Sequence, residues 1–180
     1  MAFAKGIAPL TVILIIALLA LGAVGGMAGT ALLGKAPECP SQASAARSEK
    51  ELGDLLEKSD AVTATDGEAT TIAQKYIGAK VTDGRVCFTT NLAHASGKLT
   101  LGPVTPSFYA SAGIDLSGTT PKTVNLDIKV GSMPDVPVVS DQAKGIVQKL
   151  INDNLAKVTL KEKYSVLFSQ GSVTVNKLSQ

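Results

Sequence analysis

The sequence predicts an α+β fold: an N-terminal transmembrane helix, then a curled antiparallel sheet, a meander plus a C-terminal hairpin, packed around a long amphipathic helix. Three observations predict it. An uncharged run, "GIAPLTVILIIALLALGAVGGMAGTALLG", separates Lys5 from Lys35 and is long enough to cross a hydrocarbon core of about 30 Å as a helix. Apolar residues then recur at every second position through four successive stretches, as half-buried strands require. Finally the period lengthens to that of a helix between Ser140 and Leu155 and returns to two in the C-terminal residues.

The first element is the uncharged run. Its length favours a retained anchor over a cleaved signal peptide, although "GMAGTA" offers a loose cleavage site. Positive charges on its two sides nearly balance. The short N-tail and the long following domain favour the C-terminal part outside the cytoplasm. Gly22 and Gly26 stand at i, i+4 spacing and offer a helix–helix contact for a homodimer; the plainer reading is that glycine is common in membrane helices. The divisions expected are 1–34 as anchor, 35–64 as linker with a short helix, and 65–180 as an extracytoplasmic α+β domain.

"GKAPECPSQASAAR" is small, polar and proline-containing, and reads as the linker. "SEKELGDLLEKSD" reads as a short helix extending the stalk, with Leu52, Leu55 and Leu56 on one side. Thr65 and Glu68 match a capping box, followed by Ala69, Ile72, Ala73, Tyr76 and Ile77 at helical spacing. Four strands follow. "GRVCFTT" sets Val86 and Phe88 against Arg85, Cys87 and Thr89. "AHASGKLTLG" sets Ala95, Gly97, Leu99 and Leu101 against His94, Ser96, Lys98 and Thr100. "SFYASAGIDLSG" sets Phe108, Ala110, Ala112, Ile114 and Leu116 against Tyr109, Ser111, Gly113 and Asp115. "TVNLDIKV" places Val124, Leu126, Ile128 and Val130 on one face. Ser140 caps the long helix, whose stripe is Ala143, Ile146, Val147, Leu150, Ile151 and Leu155. A hairpin turning at Gly171 closes the chain. A one-faced sheet and an amphipathic helix each need cover. The alanines at 110 and 112 leave room for the helix to approach.

Composition excludes several functions. A net charge of +2 gives no footprint for nucleic acid. The single histidine, His94, reads as a solvated residue on a polar strand face, with no nucleophile or orienting group beside it in sequence. No GxSxG, HExxH, CxxC or phosphate loop occurs, and no metal set or cofactor is expected. The chain is therefore expected not to be an enzyme. Cys39 and Cys87 are too few for a disulfide framework. With Cys39 in a linker, they are expected free or only occasionally bridged. Lys144, Lys149, Lys157, Lys161 and Lys163 read as a solvated face, with anionic lipid as the sharper alternative.

The runs "EATTIAQKYI", "VTDGRVCFTTNLAHASGKLTLG", "VNLDIKVGSMPDVP", "LINDNL" and "GSVTV" together resemble the YpmS-type family of membrane-anchored bacterial proteins. They are also similar to the LmeA-like exported phospholipid-binding proteins. The resemblance extends from about Glu68 to Val175 and implies a relative of the tubular lipid-binding proteins, with a sheet curled around a helix and no catalytic residues. The expectation is a single-pass cell-membrane protein that binds membrane lipid or another apolar molecule outside the cytoplasm. Its apolar lining would be Phe88, Leu99, Leu101, Phe108, Ile114, Leu126, Ile128, Ile146, Leu150 and Ile151. The plain alternative for these residues is a dry core. The alternative function is a partner-binding accessory domain of a cell-envelope complex.

Overall fold

The structure, a computed structural model, describes residues 38–41, 46–76, 81–99, 107–130, 156, 160 and 162–178. The uncharged run, the helix expected over 140–155, and Leu101 lie outside them. Among the described residues no helix is long and apolar enough to cross a membrane.

The first element, α1 (Glu49–Lys58), starts at Ser48. The Ser48 hydroxyl accepts from the Glu51 backbone N–H, and the Glu51 carboxylate accepts from the Ser48 backbone N–H, a reciprocal capping box. Lys50 and Asp54 pair one turn apart on its exposed side. Its other side buries Leu52 and Leu56 in the core, while Leu55 stays exposed. A stretch expected to be stalk therefore contributes two core leucines.

Strand β1 (Ala61–Thr65) follows at once. Val62 and Ala64 are buried and their neighbours exposed, the alternation of a strand with one face on a core. The chain passes directly from β1 into helix α2 (Asp66–Tyr76). Thr65, the last strand residue, caps this helix: its hydroxyl accepts from the Glu68 N–H, and Glu68 Oε2 accepts from the Thr65 N–H. The capping box expected here is present, and Ile72 and Ala73 are buried as the helical spacing requires.

The meander is observed as β2 (Val81–Thr89), β3 (Leu92–Leu99), β4 (Ser107–Asp115) and β5 (Lys122–Val130), paired antiparallel in the order β2-β3-β4-β5. Asn91 takes a positive φ of 69° in the β2–β3 turn, a conformation asparagine tolerates better than most residues. On one face the register aligns Val86, Ala95, Ala110 and Ile128, and beside them Phe88, Ala93 and Ala112. Gly97 lies opposite Phe108. A methyl group at 97 would come within 3.0 Å of the Phe108 ring and 3.1 Å of the Thr82 carbonyl oxygen, so the ring occupies the room the missing side chain leaves. The face expected on the fourth strand is broken by a bulge. The register shifts between Ser111 and Gly113, with Asn125 at a φ of 53°. Val124 then pairs with Gly113 and is exposed, while Thr123 takes the buried side.

The C-terminal hairpin is β6 (Tyr164–Ser169) and β7 (Ser172–Lys177), turning at Gly171 with a φ of 80°. It does not extend the meander into a curled sheet. It pairs with β1 in a separate three-stranded sheet, ordered β1-β7-β6. The physical reason is β1 itself: five residues upstream of α2 supply the edge to which β7 bonds, from Ala61 opposite Asn176 to Thr65 opposite Ser172.

The two sheets and two helices share one core, which includes Leu52, Val62, Ile72, Val86, Phe88, Leu116, Phe168 and Val175. Phe88 and Phe168 stack with ring centroids 5.8 Å apart. Backbone bonds link the sheets around these rings: the Gly171 N–H donates to the Phe88 carbonyl, the Asn91 N–H to Phe168 and the Tyr164 N–H to Leu116. The Asp66 N–H donates to the Gly171 carbonyl, while the Asp66 carboxylate accepts from the Phe88 N–H at 2.9 Å.

Candidate functional site

The faces of the four-stranded sheet differ in chemistry. On the apolar face, Phe88, Phe108 and Leu126 are buried. Ile114 and Ile128 are only partly buried and pack against it. Leu99 ends β3, and its side chain is not among those described; Leu101, Ile146, Leu150 and Ile151 lie outside the described residues. Of the ten residues expected to line a ligand, the structure thus places five on the sheet: Phe88 and Leu126 in the shared core, Ile114 and Ile128 against it, and Phe108 buried against Gly97. Ala110 and Ala112 are also buried in that core.

The opposite face is polar and largely closed. The register forms a row across it from Cys87 through His94 and Ser111 to Asp127, beside a second row of Arg85, Ser96, Tyr109 and Lys129. The segment at Cys39 covers part of this face. Cys39 and Cys87 form a disulfide, with Cα atoms 5.7 Å apart, which corrects the expectation of free cysteines. The bonded backbone explains the pairing. The Cys39 N–H donates to Ser96 Oγ at 2.9 Å, and Arg85 Nη1 donates to the Cys39 carbonyl at 3.1 Å. Cys39 is 1% exposed, so it sits on the domain and not in a free linker.

His94 is likewise corrected from a solvated residue to a buried one. Its Nε2 lies 2.6 Å from Thr89 Oγ1 and its Nδ1 2.5 Å from the Tyr109 hydroxyl, and the imidazole stacks on the Tyr109 ring. Burial pushes the imidazole below its ordinary pKa. Burial and the nearby Asp127 carboxylate push the Tyr109 phenol up. A neutral imidazole has one donor and one acceptor nitrogen, and two hydroxyls satisfy both. The row does hold a histidine, a serine and an aspartate, but both ring nitrogens are engaged by Thr89 and Tyr109. This leaves no base directed at Ser111 and no triad. His94, Thr89 and Tyr109 thus form one hydrogen-bonded, stacked unit. Among the described residues no group of His, Cys, Asp and Glu could hold a metal ion.

A third polar cluster pins the start of the domain. Arg47 Nε and Nη2 donate to the two Glu68 oxygens at 2.7 and 2.9 Å, and Nη2 also donates to the Thr63 carbonyl at 2.8 Å. Burial pushes the Glu68 carboxyl up. Bonds from Arg47 and Thr65, with the Arg47 charge, outweigh that and hold it below the ordinary range.

The pairing of cysteines and the burial of His94 were accessible from the sequence in one respect. Cys87, His94 and Tyr109 all occupy the alternate positions opposite the apolar series. The assumption that this face is wet hid their contacts. No known protein-family model matches the chain, and no curated protein matches it.

Proposed function

We propose that this chain is a single-pass, membrane-anchored, non-catalytic domain outside the cytoplasm that binds lipid or another apolar molecule, in the manner of the YpmS-type and LmeA-like proteins it resembles. The observation that carries the reading is the buried Cys39–Cys87 disulfide directly after the uncharged run. Disulfides persist in oxidising compartments and are rare in the cytosol, which supports a domain on the outer side of the membrane. The length of the run supports retention as an anchor.

The apolar face supports a narrower ligand region than the ten residues suggested. Phe88, Phe108 and Leu126 are buried and are assigned to packing. Ile114 and Ile128 are partly open, so a ligand would be met at the β4–β5 side of the sheet. Native mass spectrometry of the full chain, released gently from membranes, tests this reading. The expected result is a retained lipid that is lost in Ile128→Asp. A chain without lipid, carrying a stoichiometric protein partner instead, would replace this reading with that of an accessory domain in an envelope complex.

A further inference from the structure

We propose that the Cys39–Cys87 bridge acts as a short tether, holding the polar face of the four-stranded sheet toward the lipid headgroups. The inference rests on reading residues 6–34 as a membrane anchor and adds to it an orientation. The argument is one of chain length. The uncharged run ends at Gly34, and Cys39 is fixed to the sheet by its bond to Cys87, by Ser96 and by Arg85. Extended chain between Gly34 and Cys39 reaches at most about 18 Å. A strand as long as β2 measures about 30 Å. The point where Cys39 meets the sheet is therefore confined to a distance from the membrane shorter than the sheet itself.

Without the bridge the confinement is lost. The next described tie is Arg47 on Glu68 and Thr63. Extended chain from Gly34 to Arg47 reaches about 45 Å, enough for the domain to turn any side to the bilayer. The bridge thus changes the tether length by more than a factor of two while leaving α1, the two sheets and their core on the same side of it.

The chemistry around the attachment suits a headgroup surface. Arg85 and Lys98 share this face, beside Ser96 and Tyr109, which are engaged by Cys39 and His94. Lys98 is half-exposed and pairs with the exposed Asp83 at 2.7 Å. Glu38, next to Cys39, acts on the Lys98 charge. Opposite charges here balance, so the occupant is a zwitterionic headgroup layer, held near by the tether and not by a basic patch.

Photo-crosslinking of the full chain in phosphatidylcholine vesicles tests the orientation. Benzoylphenylalanine replaces Lys98 in one sample. In another it replaces Leu167, which is 57% exposed on the other sheet. Lipid adducts are counted by mass spectrometry. The expected result is several-fold more adduct from position 98 than from position 167. Inserting about ten Gly/Ser residues between Gly34 and Lys35 lengthens the tether without touching the bridge, and the ratio should fall toward one. The double variant Cys39→Ser, Cys87→Ser should do the same. Equal adducts in the uninserted chain, or a ratio unchanged by the insertion, would overturn the tether. Extraction of the chain from the vesicles by alkaline carbonate would instead overturn the anchor reading, and the tether with it.

Discussion

Two residues illustrate how strongly the polar groups of this domain are committed. His94 is buried between two hydroxyls, and its pKa is lowered by burial from the ordinary 6.5. The unfolded chain therefore takes up the proton first as pH falls. Stability from this site is complete above the ordinary value and is lost as pH drops through it toward the lower folded value. Urea titrations at about pH 7.5 and 5.5 should show a loss for the native chain and a smaller one for His94→Gln. The other titrating groups are common to both proteins, so the difference between the two losses isolates His94. An equal slope in both proteins would mean that His94 does not control it. Arg47 presents a different case. Its partner Glu68 has a side chain 1% exposed, so removing the guanidinium leaves a buried carboxylate with only the Thr65 donors. Arg47→Ala should cost about 1–3 kcal/mol in chemical denaturation. Arg47→Lys should recover only part of this, because an ammonium cannot form the paired fork.

At the scale of elements, the strongly periodic segments were legible and the short or polar ones were not. The four meander strands, the Thr65 cap and the Gly171 hairpin follow from alternation and turn chemistry alone. Strand β1 was missed because "AVTAT" offers only Val62 and Ala64 to a core and adjoins a helix cap. Its strand character comes from its partner β7, a non-local pairing no local pattern records. The bulge at Asn125 was hidden for a related reason: Val124 fits the apolar series of its own strand, and only the register with Gly113 turns it outward. Helix α1 was foreseen as a helix but read as stalk, since three leucines in ten residues do not reveal what they face. Its place in the core gives a direct test. Leu52 is fully buried, so Leu52→Ala should lower stability by about 2–5 kcal/mol. A stalk helix would tolerate the change within about 0.5 kcal/mol. A cooperative melt followed by circular dichroism separates the two.

For the whole molecule, what sequence reasoning lacked was the third dimension of the polar face. Alternation divides a strand into two sides but does not say what lies above either. Here one side carries the core and the other carries the chain's own entry segment, fastened through Cys39. The bridge joins positions separated by 48 residues, and the loop it closes contains α1, β1 and α2. Opening it frees the unfolded chain far more than it disturbs the folded sheets, whose ladders are independent of it. For a loop of this length, loss of the constraint corresponds to about 4 kcal/mol in the chain-entropy account, and native bridges deliver about 2–4. Cys39→Ser and Cys87→Ser should each lose stability in that range when compared with the oxidised native chain by urea unfolding. The difference should nearly vanish when all three are unfolded in the presence of dithiothreitol. The released segment also forfeits its bonds to Ser96 and Arg85. Cys39→Ser should therefore increase hydrogen exchange at the Cys39 segment while the β2–β5 ladder stays protected. Equal stability of the native and substituted chains under oxidising conditions would mean that the segment at Cys39 contributes nothing to the domain it is bonded to.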